Sequence, residues 1–216
     1  MSKLLILMAQ SASELARRHG TEEDRINCPF FFKIGACRHG ETCTQKHNKP
    51  PFSQTVLIKK MYYNPMIPLV NSGTQVGKFD QLTLQQVFDD FLEEIVEELS
   101  KYGNLEDVQV MENLGDHMIG CVYAKYEDEE DAEKCLNAMN GRYYAGRKLE
   151  AEYTSVTDFR EARCRSYDES ICDRGPFCNF MHVRGPCKAL RKYLEEKYNF
   201  TGCRVTGKAT MASMRD

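Results

Sequence analysis

Eight residues of this chain repeat one ruler. Cys28, Cys37, Cys43 and His47 are separated by eight, five and three residues, and Cys164, Cys172, Cys178 and His182 by seven, five and three. The tails CRHGETCTQKH and CDRGPFCNFMH match in chemistry, and each places a glycine, Gly40 or Gly175, at the same point of the loop, where a tight turn needs it. Three thiolates and one imidazole complete a tetrahedral shell for zinc, so two Zn2+ per chain are expected. A catalytic zinc keeps a position open for water, and four protein ligands leave none. Each cluster is about twenty residues long, too short to fold on apolar burial. Bound metal supplies the missing folding energy, on the order of 10–16 kcal/mol in finger peptides. Cys121, Cys135, Cys187 and Cys203 show no such spacing, and His39 and His117 read as ordinary polar positions.

Around the ligands, rings alternate with cations. The first cluster carries Phe30, Phe31, Phe32, Lys33, Arg38, Thr44 and Lys46. The second carries Arg160, Arg163, Arg165, Arg174, Phe177, Asn179 and Phe180. Rings stack on splayed bases at about 1–3 kcal/mol each, while guanidinium groups hold phosphates or base edges, which suits single-stranded RNA. About half of the rings are expected to pack as a small core instead, because a finger has little else to bury.

Between the clusters the pattern changes to alternating strands and helices. Thr55 to Tyr62 is apolar and β-branched, a strand; 63–83 is a loop. Over 84–102, Phe88, Leu92, Ile95, Val96 and Leu99 recur at helical spacing. Leu105 to Met111 alternates as a strand, Gly115-Asp116 turns, and Met118 to Tyr126 alternates again. Asp128 to Met139 is a helix with Ala132, Cys135, Leu136 and Met139 on one face, and Lys148 to Tyr153 is a last strand. The order βαββαβ predicts an α+β, ferredoxin-like domain. The chain thus divides into an N-terminal extension over 1–20 with a short helix over Ser13 to Arg18, a first finger over 21–50, the βαββαβ domain over 51–155, a second finger over 156–185, and 186–216. That last part is expected to hold a helix over Pro186 to Tyr198 and a flexible tail from Thr201.

Charge is divided along the same lines. The total of −3 and pI of about 6.0 conceal a segment, Phe79 to Asn140, with 17 acidic and three basic side chains. That segment carries −14, so the remainder carries +11. On the first helix Asp89, Glu93 and Glu97 form one row at successive turns, and Asp90, Glu94 and Glu98 form another. Two adjacent acidic rows repel phosphate and attract a basic peptide. No run approaches the roughly 18 apolar residues of a membrane span, and Met1 to Ala9 is too short for a signal-peptide core.

The finger spacings, together with the strings NCPFFFKIGACRHGETC, NLGDHMIGCVYAKY, TDFREARCR and CNFMH, resemble the small subunit of the U2 auxiliary factor of pre-mRNA splicing, from about Thr21 to Arg191. The resemblance implies a nuclear, non-enzymatic RNA-binding subunit whose two fingers act together on the AG at the 3′ end of introns. By matching position it points to Phe30, Arg38 and Thr44 in the first finger and to Arg165, Asn179 and Phe180 in the second. Lys46, Arg163 and Arg174 join them as candidate RNA contacts, although Arg163 stands where the family usually has Cys. The middle domain then corresponds to a U2-auxiliary-factor homology motif, an RNA-recognition-motif relative that captures a Trp-containing, basic-flanked peptide of the large subunit. The acidic helix residues Asp90, Glu93, Glu94, Glu97 and Glu98, and a loop reading Arg142-Tyr143-Tyr144, are the implied partner contacts. Consistent with a lost RNA platform, Ile119 and Cys121 stand at the positions of a basic and a stacking residue on the central strand, and Leu57 stands at the other stacking position; only Tyr123 remains. No membrane and no small-molecule substrate is expected. The rival reading is a protein adaptor whose fingers are structural braces; a metalloenzyme is disfavoured by the closed shells.

Overall fold

The computed structural model describes residues 26–65, 67–68, 81–200 and 202. The helix expected over Ser13 to Arg18 and nearly all of the tail lie outside them. In chain order the elements are α1 (Pro29–Ile34), β1 (Thr55–Lys59), α2 (Gln81–Leu99), β2 (Leu105–Val110), β3 (Val122–Tyr126), α3 (Glu129–Met139), β4 (Tyr143–Tyr144), β5 (Arg147–Lys148), β6 (Glu150–Tyr153), α4 (Phe159–Ala162), α5 (Arg165–Asp168) and α6 (Lys188–Tyr198). Four strands form an antiparallel sheet in the order β2-β3-β1-β6, which is the expected βαββαβ arrangement. Several boundaries differ from the sequence pattern: β1 stops at Lys59 instead of Tyr62, and α2 runs from Gln81 to Leu99 instead of over 84–102. The central strand starts at Val122 because Gly115 to Gly120 is a turn, with the Met118 and Ile119 amides bonded back to the Gly115 carbonyl at 2.9 Å. Lys148 belongs to a separate two-stranded hairpin, β4–β5, and β6 begins only at Glu150.

Strand side chains alternate between the two faces, and here both faces are covered. On one face Val56, Ile58, Val108, Val110, Val122, Ala124 and Tyr126 pack against Phe88, Leu92, Ile95, Val96 and Leu99 of α2 and against Ala132, Cys135 and Met139 of α3. The C-terminal helix α6 joins this layer through Leu190 and Leu194. The opposite face carries Leu57 and Tyr123, paired across β1 and β3 and only 1% and 0% exposed. What covers them comes from the fingers: Ile34 and Ala36 from the first, and Phe159, Ala162, Met181 and Val183 from the second. The Tyr123 hydroxyl donates to the Ile34 carbonyl at 2.6 Å. Burying side chains of this size stabilises by about 1.5–3 kcal/mol each, so the sheet serves as the common base on which both fingers are built. Among the described residues no helix is long and apolar enough to cross a membrane.

Candidate zinc centres and nucleic-acid interface

The two ligand sets assemble in the same way. In the first, Cys28 lies at the start of α1, and the chain turns through Gly40 at φ 48° before reaching Cys43 and His47. In the second, Cys164 precedes α5, and the turn falls on Gly175 at φ 54°. Each first cysteine is tied to the strand-like segment before the histidine: the Cys28 amide donates to the Lys46 carbonyl and the Cys164 amide to the Met181 carbonyl, both at 2.9 Å.

Within each set of three cysteines and one histidine, all ligand atoms lie within 4.8 Å of one another. The Sγ separations are 3.9 Å for Cys37–Cys43, 3.7 Å for Cys164–Cys172 and 3.8 Å for Cys164–Cys178. A tetrahedron with Zn–S bonds of about 2.3 Å has an edge of about 3.8 Å. A disulfide would need about 2.05 Å. The imidazole Nε2 atoms of His47 and His182 are buried and have no hydrogen-bond partner among the described residues, so each offers a lone pair to a metal. Burial, followed by the charge of Arg174, holds His182 down to about 4 and keeps that ring neutral. Burial likewise pushes the thiols of Cys37 and Cys164 up to about 11, so these buried sulfurs need a cation beside them to ionise. The donor sets fit two zinc ions whose role is to hold the fingers folded.

An aromatic ring at the same place in each finger braces the histidine. Phe31 stacks on His47 with centroids 4.4 Å apart, and Tyr167 stacks on His182 at 3.9 Å. Both rings stand three residues after the first cysteine, a match already present in the residue spacing. The second finger has further ties that residue pattern did not reveal. Tyr167 donates its hydroxyl to Glu112, which also pairs with Arg184. Asn113, 1% exposed, donates to the carbonyls of Cys178 and Phe180 at 2.9 and 3.0 Å and accepts from the His182 amide at 2.8 Å.

The fingers meet at their tips. Phe30 of the first and Phe180 of the second lie edge to face with centroids 6.1 Å apart, and the Arg174 guanidinium sits over Phe180 at 5.7 Å. Arg38, Thr44, Lys46, Arg165 and Arg174 are exposed on the two fingers, as are Phe32 and Phe177. The Asn179 Oδ1 atom is buried and accepts no hydrogen bond among the described residues. Arg163 does not belong to this surface. It is 8% exposed and ion-paired with Asp168 at 2.6 Å, because the residue before the first cysteine faces the interior of the module. His117 is half-buried, and burial, then the charge of Arg38, holds its imidazole below the usual value.

The acidic helix lies across the sheet from the fingers. Glu98 pairs with Arg142 of the loop, with Lys101 at 2.7 Å and with the Tyr102 hydroxyl at 2.8 Å. Tyr144 donates to Glu94 at 3.0 Å and packs edge-on against Phe91, while Tyr143 is 71% exposed. Glu97 reaches Lys197 of α6 at 3.9 Å; Asp90 is exposed and Glu93 half-buried. The structure thus brings the loop onto the helix and engages Glu94, Glu97 and Glu98 within the chain.

An α+β sheet of the RNA-recognition type, carrying two closed Cys3His zinc modules on its face, defines a class of zinc-finger proteins built for nucleic acid. Comparison with known proteins agrees. Residues 92–150 match the RNA recognition motif, and residues 23–49 and 159–184 match the zinc finger C-x8-C-x5-C-x3-H type (and similar). The chain is 48% identical over 187 residues to a splicing factor U2af small subunit of Arabidopsis thaliana, covering 87% of this chain and 66% of that protein. It is 46% identical to Splicing factor U2AF 26 kDa subunit of Rattus norvegicus, covering 85% and 84%, and 47% identical to Splicing factor U2AF 23 kDa subunit of Schizosaccharomyces pombe, covering 85% and 86%. It spans 60–66% of the length of the plant relatives it matches. The chain belongs to the U2AF small-subunit family, and these relatives are splicing factors.

Proposed function

We propose that this chain is a nuclear RNA-binding splicing subunit. Its paired fingers read the AG dinucleotide at the 3′ splice site of pre-mRNA, and its acidic helix and the Arg142–Tyr144 loop bind a Trp-containing peptide of the large subunit. The observation that carries this reading is the contact between the fingers, Phe30 beside Phe180 with Arg174 above the latter, on modules whose Arg38, Thr44, Lys46 and Arg165 are exposed. The rings offer stacking faces, the cations hold phosphate, and Asn179 Oδ1 can accept from a base edge. Arg163 acts from beneath, as a brace. Phosphate is kept off the opposite side of the sheet, where α2 carries six carboxylates and no Lys or Arg.

The adaptor reading has one observation in its favour, the sealing of Leu57 and Tyr123 under the fingers. Bracing does not account for the exposed rings and cations, and the two roles are compatible. Titrating the zinc-loaded chain with short RNAs that contain or lack AG, with a Trp-containing large-subunit peptide present, separates them. The chain has no Trp, so indole fluorescence reports the peptide alone. Preference for AG is expected; equal, weak binding to both RNAs would leave only the adaptor.

A further inference from the structure

The fingers do not cover their face of the sheet from edge to edge. Directly opposed strand residues point to the same face, so Gln109, opposite Tyr123, and Asp107, opposite Lys125, belong to the face that carries Leu57. The middle of that face is sealed. At the β2 edge it opens into a cleft of about 700 Å³ between β2–β3, the segment from Thr157 to Asp168 that leads into the second finger, and Gly202, which lies beside Asp107. Binding pockets for small molecules are commonly about 300–1,000 Å³, so a nucleotide fits with room for water.

Two features define what the cleft takes. Gln109 is 2% exposed, and its amide nitrogen donates to both Asp107 carboxylate oxygens at 2.9 Å. That bond fixes the amide, and its Oε1 accepts no hydrogen bond among the described residues. A buried acceptor left unpaired costs about 1–3 kcal/mol, so a ligand N–H is favoured there. The second feature is charge. Lys125 pairs with Glu106 at 2.8 Å, Arg160 with Asp158 at 2.7 Å and Arg163 with Asp168 at 2.6 Å. Arg165, exposed at the rim, makes no ion pair among the described residues and is also one of the candidate finger contacts. A free cation for phosphate and a buried acceptor for an N–H together describe a nucleotide.

We propose that this cleft holds one nucleotide of the bound RNA, next to those on the fingers, with its phosphate on Arg165 and its base edge on Gln109 Oε1. The proposal rests on the RNA-binding reading above. An acceptor-lined floor favours bases that carry an amino group, namely adenine, cytosine and guanine. Uracil has a single N–H flanked by two carbonyls, which would face the Asp107 carboxylate.

The test uses the full, zinc-loaded chain and short AG-containing RNAs in which each flanking position is varied through the four bases. Fluorescence anisotropy should show one flanking position where uracil weakens binding by about threefold to tenfold, the scale of one hydrogen bond. Gln109→Met should erase that preference and keep the preference for AG. A wild-type measurement guards against misfolding of this variant: 6-thioguanosine at the same position should photocrosslink to β2 or to Thr157–Arg165. Crosslinks confined to the Cys28–His47 and Cys172–His182 peptides, or a preference that survives in a two-zinc Gln109→Met protein, would overturn the proposal. Loss of AG discrimination in the wild type would instead count against the finger reading and leave the crosslink to judge the cleft.

Discussion

Replacing Asn113 with alanine should uncouple the second finger while leaving the first intact. This side chain makes three hydrogen bonds, two as donor to the Cys178 and Phe180 carbonyls and one as acceptor from the His182 amide, the Phe180 bond being partly buried and the other two buried. Truncation leaves two carbonyls and one N–H without partners in a place that is 1% exposed. Each orphan costs about 1–3 kcal/mol, and water entering the gap relieves part of this, so a total of about 3–5 kcal/mol is expected. For a chain of this size that lowers Tm by roughly 6–20 °C. Because the lost bonds hold the backbone at Cys178 and His182, the cost falls on one metal site. A competition assay with a chromophoric chelator should show one zinc released far more readily and the other unchanged. Asn113→Asp should not rescue, since it keeps the acceptor for His182 but sets a carboxylate against two carbonyls. Two equally tight zinc ions in Asn113→Ala, with Tm within about 2 °C of the parent, would refute the clamp.

Other outcomes can be checked separately. Gly35→Ala should destabilise by about 1–3 kcal/mol, since φ is 76° and the new Cβ would lie 2.3 Å from Thr154 Oγ1; an unchanged thermal melt would contradict this. Stripping both zinc ions should release the fingers from the sheet and expose Tyr123, which tyrosine emission reports without interference because the chain lacks Trp; emission and RNA binding that survive chelation would count against structural zinc. The Glu98 carboxyl is held down to about 2, against an ordinary 4.5, by Lys101 first, then, against a burial cost, by Arg142 and Tyr102. A lowered value stabilises fully above about pH 4.5 and loses that contribution as pH falls through about 2, so the Arg142 loop should remain docked near pH 4; an NMR titration midpoint near 4.5 would contradict the lock.

The metal sets were legible because zinc demands particular atoms at particular spacings, and the helix and strand order was legible because burial imposes periods on apolar residues. Packing between modules was not. Ile34 and Ala36 read as part of a finger, yet they close the sheet over Leu57 and Tyr123. The degenerate RNA platform at Leu57 and Cys121 suggested a lost function, while its positive role as a floor for the fingers depended on contacts distant in sequence. Nothing in the residue pattern singles out Asn113; its value lies in three partners about 65 to 69 positions away. Arg163 read as a surface cation because composition does not say which way a residue beside a ligand faces. The equivalent rings Phe31 and Tyr167 could have been found, since the same cysteine ruler that located the ligands also aligns them.

The contact between Phe30 and Phe180 has a kinetic and entropic consequence. Two recognition modules on a flexible linker must find each other's segment of ligand by diffusion, and their effective concentration is set by the linker. Here both modules are fixed to one sheet and touch, so no search by the protein remains. On the proposed reading, an RNA strand that engages one finger presents its next nucleotide to the other at once, and the stiffness of the RNA becomes the limiting factor. Tolerance for insertions between contacted nucleotides should therefore be small, and the assembly behaves as a bivalent receptor of preset span.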